Sequence, residues 1–340
     1  MNNNHTSKNI QKPKRGEFVA WAAYQRRTVT VAEQLELDVR FYHYSWEENA
    51  KILKPISYIF KFIRTLSSWF AKRPKLVVVQ LPPTPLLYAA AIYCKLTGAK
   101  YITDNHMAML IQDSHWIKWP MARYLITKSA NILVHNKEML NHTDILNIQP
   151  FVLRDPPPAI VVDESVEEIA GVHIKDTSYI IIPCSFGEDE PIEELLEAIR
   201  MTPDTLFFST WFYEKLPQSI KENAPKNLIF TGFLKEKEFS ALFAHANGAI
   251  VLTTWTDVQP SGAQEAISLS VPLIISDAPS TRRLYQQGAI FVSNEAKSIA
   301  EGVQEALTKH DQYSQKIGKL KEAFHQKISL QINELKASFG

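Results

Sequence analysis

The stretch DVQPSGAQEAISLSVPLIISD, from Asp257 to Asp277, runs from polar through small to apolar residues, with Glu265 between an acid at each end. The preceding GAIVLTT and the internal VPLIIS read as short buried strands, so GAQEAISLS between them reads as a helix. Strand, turn and helix in this order form a repeating unit of an open parallel sheet, whose ligands bind at the carboxyl ends of the strands. Pro260, Ser261, Gly262 and Ala263 open the helix, where unsatisfied backbone N–H groups favour a phosphate. Glu265 lies about one turn further in, within reach of ribose hydroxyls beside such a phosphate. An acid there also complements the helix dipole, by roughly 0.3–1 kcal/mol, and the pattern alone leaves both readings open.

The alternation extends outward in both directions. Upstream come YIIIPCS, PIEELLEAIR, TLFFST, NLIFTG and EKEFSALFAHA; downstream, residues 298–339 are almost wholly helical in pattern. VLRDPPPAIVVDESVEE (Val152–Glu168) holds three consecutive prolines, which suit neither a helix nor a central strand, and marks a linker. Ahead of it a second series appears: FVAWAAY, TVTVAEQLEL with Thr28 as candidate cap, VRFYHY, LVVVQ, LLYAAAIYCKLTG, KYITD and NILVHN. The expectation is an α/β protein of two Rossmann-like domains facing a cleft: a disordered tail at 1–15, domains at 16–155 and 156–314, and a closing helix at 315–340 returning to the first domain.

Composition narrows the function. The 340 residues suffice for two cores, and a formal charge of +1, spread along the chain, argues against a nucleic-acid partner. Cys94 and Cys184 lie in apolar segments and read as buried thiols of a reducing compartment. No run reaches the roughly 18 apolar residues of a membrane span, and MNNNHTSKNIQKPKRGE lacks the apolar core of a signal peptide, so a cytoplasmic location is expected. The 11 glycines never fall within ten residues of one another, which excludes both GxGxxG and a Walker loop. HExxH, CxxC, Asp-x-Asp and GxSxG are absent. A bound diphosphate would therefore rest on helix N-termini and single basic side chains, with no metal cofactor expected.

Asp257-x7-Glu265 followed by VPLIISD resembles the paired-acid motif of GT-B glycosyltransferases. VVVQLPPTPLL (Val77–Leu87), YITDNH (Tyr101–His106), VLRDPPP (Val152–Pro158) and SFGEDEPIEELLEAI (Ser185–Ile199) follow in the order seen in the β-mannosyltransferases of lipid-linked chitobiose assembly. The resemblance implies that Glu265 binds the nucleotide ribose and that Asp257 lies near the donor sugar. It also implies that His106 works beside donor or acceptor. Asp104 would either orient His106 or act as the base that takes the acceptor proton. Where many GT-B enzymes hold the diphosphate with Arg and Lys, this chain has PCSFGEDEP and FFSTWFYEK, without a base at either expected point. Lys215 and Arg27 are the candidate substitutes.

KILKPISYIFKFIRTLSSWFAKRPK, from Lys51 to Lys75, holds seven basic residues and no acid. Ile52, Ile56, Ile59, Phe60, Ile63, Leu66 and Phe70 recur at helical spacing. This reads either as a membrane-surface helix, with Lys51, Lys54, Lys61 and Arg64 among lipid headgroups, or as a core helix whose stripe packs on the sheet. A second acid-free segment, WIKWPMARYLITK (Trp116–Lys128), favours an anionic membrane.

These readings converge on a transferase moving a hexose from a nucleotide-diphosphate sugar, of GDP or UDP type, to a lipid-linked or glycan acceptor. It would serve polysaccharide or glycoconjugate assembly, peripherally at the inner membrane face. The alternatives are a nucleotide-sugar epimerase on the same fold and a non-catalytic partner subunit.

Overall fold

A computed structural model describes residues 16–49, 54–110, 114–143, 146–147, 149–183, 187–211, 216–256 and 258–339. The expected tail at 1–15 lies outside them. The chain divides into two units, Met1–Arg154 with Gln331–Gly340, and Asp155–Leu330.

The first unit contains β1 (Gly16–Ala20), α1 (Arg26–Gln34), β2 (Asp38–Phe41), α2 (Trp46–Asn49), α3 (Lys54–Lys72), β3 (Leu76–Leu81), α4 (Thr84–Thr97), β4 (Lys100–Asn105), α5 (Met107–Leu110), α6 (Ala122–Thr127), β5 (Asn131–Val134) and β6 (Phe151–Val152). Its sheet is parallel, in the order β2-β1-β3-β4-β5-β6. Val77, Val78 and Val79 of β3 are fully buried, as a β-branched run covered on both faces should be. α4 stops at Gly98, whose φ of 74° and bond from its N–H to the Cys94 carbonyl (2.9 Å) end the helix in the left-handed region that glycine tolerates. Cys94 is a free thiol that burial pushes up to about 12; Cys184 is outside the described residues.

The second unit contains the antiparallel pair β7 (Glu168–Ile169) and β8 (Val172–His173), then β9 (Tyr179–Ile182), α7 (Ile192–Met201), β10 (Leu206–Ser209), α8 (Gln218–Asn223), β11 (Leu228–Phe230), α9 (Glu236–Ala244), β12 (Gly248–Val251), α10 (Ser261–Leu269), β13 (Leu273–Ser276), α11 (Pro279–Tyr285), β14 (Ile290–Val292) and α12 (Ala296–Thr308). Its main sheet is parallel, in the order β11-β10-β9-β12-β13-β14. Strand order reverses between β9 and β12 here, and between β1 and β3 in the first unit. Such switch points leave a crevice at the strands' carboxyl ends. One long helix, α13 (His310–Phe339), closes the chain, and its last turns belong to the first unit. There Gln331 donates to the Val152 carbonyl (2.8 Å), Lys336 pairs with Glu36 (2.9 Å), and Leu335 is fully buried.

Two expectations need correction. Thr28 does not cap α1. It lies inside the helix, fully buried, and its hydroxyl donates to Gln80 Oε1 at 2.7 Å, tying α1 to the end of β3. Lys61 does not face lipid headgroups. It is 1 % exposed and pairs with Glu47 at 2.7 Å.

Lys61 belongs to an inverted helix face. Ser57, Lys61, Thr65 and Trp69, four residues apart, are the buried side of α3. Thr65 Oγ1 accepts from the Trp21 indole (3.1 Å), and the Trp69 indole donates to Glu17 (2.7 Å). Arg40 and Lys72 hold the other oxygen of Glu17, so the interior polar groups are matched. The apolar stripe points outward instead: Ile59, Phe60 and Ile63 are 60 %, 55 % and 57 % exposed, and Ile56 and Phe70 are exposed as well. Lys54 and Arg64 are exposed, the latter with its guanidinium 5.4 Å from the Tyr42 ring centre. Ile52 and Lys51 lie outside the described residues.

Candidate functional site

In the second unit the residues of the opening stretch come together at the switch point. Pro260 precedes α10 in an extended conformation (φ −63°, ψ 137°) and makes no side-chain cap to the helix. Ser261, Gly262 and Ala263 form its first turn. A Cβ on Gly262 would lie 2.8 Å from Pro183 Cγ, just past β9, and 3.1 Å from Val251 Cγ2, at the end of β12. Only glycine lets the helix start sit this close to the crevice. The far end is fixed: Lys321 Nζ donates to the Ser268 carbonyl at 2.6 Å, the Ser268 hydroxyl donates to the Pro158 carbonyl, and Gln264 donates to the Tyr285 hydroxyl at 3.0 Å. Glu265 is 9 % exposed, one turn behind the opening.

The neighbouring loops are tied to each other. Thr254 N–H donates to the Asp189 carbonyl (2.6 Å), and the Thr253 hydroxyl to the Asp189 carboxylate (3.3 Å). Ser276 accepts from Thr253 N–H (2.9 Å) and donates to Asn294 (2.6 Å), whose amide returns to the Thr253 carbonyl at 2.9 Å. The carboxyl ends of β12, β13 and β14 are thus braced around the start of α10, as a site for a rigid ligand requires. Asp257 and Lys215, expected at this site, lie outside the described residues.

In the first unit, β4 ends at Asn105 and delivers Asp104 into the core and His106 to its carboxyl edge. Asp104 is fully buried. Arg27 Nε donates to both its oxygens (3.1 and 3.0 Å), Nη2 to Oδ1 at 2.7 Å, and Nη1 to the Leu153 carbonyl at 3.0 Å. Burial pushes the Asp104 carboxyl up, but the charges of Arg27, His135 and His106 and the hydrogen bonds from Arg27 outweigh it and hold the group at about 2. These facts correct two expectations. An acid this strongly ionised and bidentately held is a poor proton acceptor, which argues against Asp104 as the base. Arg27 is an internal strut joining α1, β4 and the segment after β6, with its guanidinium already engaged, and it is no free cation for a diphosphate.

His106 lies partly exposed at the carboxyl edge of the sheet. Its side chain is 24 % exposed, with Nε2 3.9 Å from Asp104 Oδ2, and the backbone N–H of His106 donates to the Leu81 carbonyl at 2.9 Å. Its ring meets His135 edge-on, centroids 4.3 Å apart. Nothing in the local sequence marks His135 as a neighbour of His106. The missed signal is register: Asn105 pairs with Val134, so the residue after each strand falls at the same level on adjacent parallel strands. Asp104, His106 and His135 each bring a possible metal-ligand atom within 4.8 Å of the others. The Arg27 guanidinium on both Asp104 oxygens opposes a dication there.

Residues 210–323 match the family of glycosyl transferases, group 1. No curated protein matches the chain. Among solved structures, HepE of Anabaena in complex with UDP-glucose is similar, with TM-score 0.65 and 11 % identity over 95 % of this chain and 99 % of that one. Sucrose-phosphate synthase from Thermosynechococcus elongatus gives 0.63 and 11 % over 95 % and 98 %. UDP-GlcNAc 2-epimerase from Methanocaldococcus jannaschii gives 0.55 and 14 % over 86 % and 92 %. At these identities the likeness shows the fold, two Rossmann-like units of GT-B type.

Proposed function

We propose that this protein is a glycosyltransferase that moves a hexose from a UDP or GDP sugar to a lipid-linked or glycan acceptor. The observation that carries this reading is the proline-led start of α10, seated by Gly262 over the switch point between β9 and β12, with Glu265 one turn behind. The match of residues 210–323 to the glycosyltransferase family covers this segment. The diphosphate would rest on the amides of Ser261, Gly262 and Ala263, which meet the charge growing on the leaving group, and Glu265 would accept the ribose hydroxyls. That arrangement predicts activity in the presence of a chelator. His106, oriented by Asp104 and flanked by His135, is the base we assign to the acceptor hydroxyl.

The test is calorimetric titration with UDP and GDP. Glu265→Ala should weaken the better nucleotide by about 1.5–3 kcal/mol, roughly 10- to 150-fold, without changing the unfolding midpoint. Unchanged affinity in the variant would remove the ribose assignment, and a wild type blind to both nucleotides would favour a non-catalytic subunit. The epimerase among the similar folds supplies a second reading. Incubation with UDP-GlcNAc alone, followed by sugar analysis, selects that reading if an epimer accumulates.

The outward apolar stripe of α3, flanked by Lys54 and Arg64, supports attachment to an anionic membrane at its inner face, in polysaccharide or glycoconjugate assembly. Among the described residues no helix is long and apolar enough to cross a membrane, so this reading makes attachment peripheral.

A further inference from the structure

The first unit holds a groove of about 1210 Å³ between α4, the start of β4 and the segment entering α6. Phe62, Ile92, Trp119, Met121, Tyr124 and Leu125 are among its walls. Lys95, Lys100 and Lys128 also line it, and no acid does. The groove continues the outward face of α3. Phe62 belongs to that helix, Phe70 packs edge-on against Tyr93 of α4 at 5.4 Å, and Tyr88 and Trp119, 6.2 Å apart, join α4 to the segment before α6. The side chains around it are not covered by the rest of the described chain: Met121 is 62 % and Tyr124 53 % exposed.

The position of the groove separates it from the chemistry. Lys100 and Tyr101 begin β4, whereas His106 follows its last residue. A six-residue strand spans about 20 Å, so an occupant of the groove sits at the opposite edge of the sheet from His106.

We propose that this groove takes one hydrocarbon chain of an anionic membrane lipid, with the lipid phosphate held by Lys95 and Lys128. The walls would leave the groups of a polar ligand unpaired, and a neutral lipid would leave Lys95 and Lys128 without a counter-charge. An apolar slot with a cationic, acid-free lining complements an amphiphile with an anionic head. Lys128 further stands 5.4 Å from the Tyr124 ring centre, holding its ammonium beside the apolar wall. The proposal rests on the membrane reading and goes beyond it: the α3 face needs only a surface, whereas the groove needs a chain drawn out of the leaflet.

The experiment titrates the full chain with dodecyl phosphate below its micelle concentration and follows tryptophan emission, with Trp119→Phe identifying the reporter. Saturable binding at least about tenfold tighter than that of dodecyl maltoside is expected, with no saturable response to inorganic phosphate. Ala91→Trp, which fills the groove from α4, should abolish it. Met121→Trp, at an exposed wall position, is the second filler should the first fail to fold. The double change Lys95→Gln, Lys128→Gln should erase the preference for the phosphate head. Sedimentation with phosphatidylglycerol vesicles keeps the two readings apart. A filled groove that loses dodecyl phosphate but still sediments supports the chain site beside an intact α3 surface. A wild type that binds dodecyl phosphate yet ignores vesicles supports the groove and overturns membrane attachment. Absence of saturable dodecyl phosphate binding, unchanged binding in both fillers, or a dimer that the fillers dissociate would overturn the proposal, the last by assigning the groove to a second copy.

Discussion

Replacing Arg27 with methionine tests how the first unit is held together. The substitution keeps most of the side-chain volume and removes every donor to Asp104, leaving a fully buried carboxylate facing the histidines alone. Removing one partner of a buried pair costs about 3–5 kcal/mol, because the remaining charge is stranded. The titration of Asp104 gives a second handle. Its folded value of about 2 lies below the ordinary 3.8, so the wild-type pair contributes stability that is fully present above 3.8 and lost as pH falls from 3.8 to 2. A shift of that size is worth about 2 kcal/mol. In Arg27→Met the effect of burial loses its main opponent and the folded value rises, so protonation now relieves the variant. The deficit against wild type should therefore be largest near neutrality and shrink by about 2 kcal/mol or more on acidification.

Urea unfolding followed by tryptophan emission reads this directly, since Trp21, Trp46, Trp69, Trp116 and Trp119 all lie in the first unit. A deficit under about 1 kcal/mol at pH 7, or one that grows toward acid, would refute the argument. The double variant Arg27→Met, Asp104→Leu should recover most of the loss, because apolar replacement of a whole buried pair is often neutral.

His106→Ala should lower turnover by about 100-fold or more while leaving UDP affinity unchanged, with His135→Ala giving a smaller fall; matching losses in turnover and unfolding midpoint would mark both rings as structural. Gly262→Ala pushes a methyl to 2.8 Å from Pro183 Cγ, and should cost about 1–3 kcal/mol of stability and weaken UDP binding; an unchanged midpoint and affinity would mean that α10 does not sit against β9. Ile59→Asp with Ile63→Asp should abolish sedimentation with anionic vesicles, whereas Lys61→Met should spare it and lower stability by about 3–5 kcal/mol; the reverse pattern would restore Lys61 as a headgroup contact.

Local patterns made much of this fold legible. LVVVQ and YIII announced buried strands because Leu76–Val79 and Tyr179–Ile182 are unbroken apolar runs, and GAQEAISLS announced a helix that forms over Ser261–Leu269. Misread residues are those whose partners lie far along the chain. Thr28 has the chemistry of a cap, but its hydroxyl goes to Gln80, 52 residues away. Asp104 looks like a base until Arg27, 77 residues earlier, is seen across both its oxygens. In α3 the spacing of apolar residues was readable, but periodicity does not say which face turns inward. That is decided by Glu17 and Glu47, which receive Trp69 and Lys61 from other parts of the chain.

The inversion of α3 carries the argument for a surface role further than its charge does. A helix meant only for water would bury Ile56, Ile59, Phe60, Ile63 and Phe70 and expose Ser57 and Thr65; this one does the opposite. Each large apolar side chain is worth about 1.5–3 kcal/mol on full burial. Five such chains, each about half buried already, retain about 4–7 kcal/mol that only an external apolar phase or partner can release. Converted to affinity, that lies between millimolar and about ten micromolar. This is the range of reversible attachment, too weak for permanent insertion and within reach of modulation by the charges of Lys54 and Arg64. Polar groups gathered inward around Glu17 and Glu47 are what make the inversion stable, because each inward hydroxyl, indole or ammonium finds a partner. The same buried acids that hold the helix to the sheet therefore set its apolar face outward.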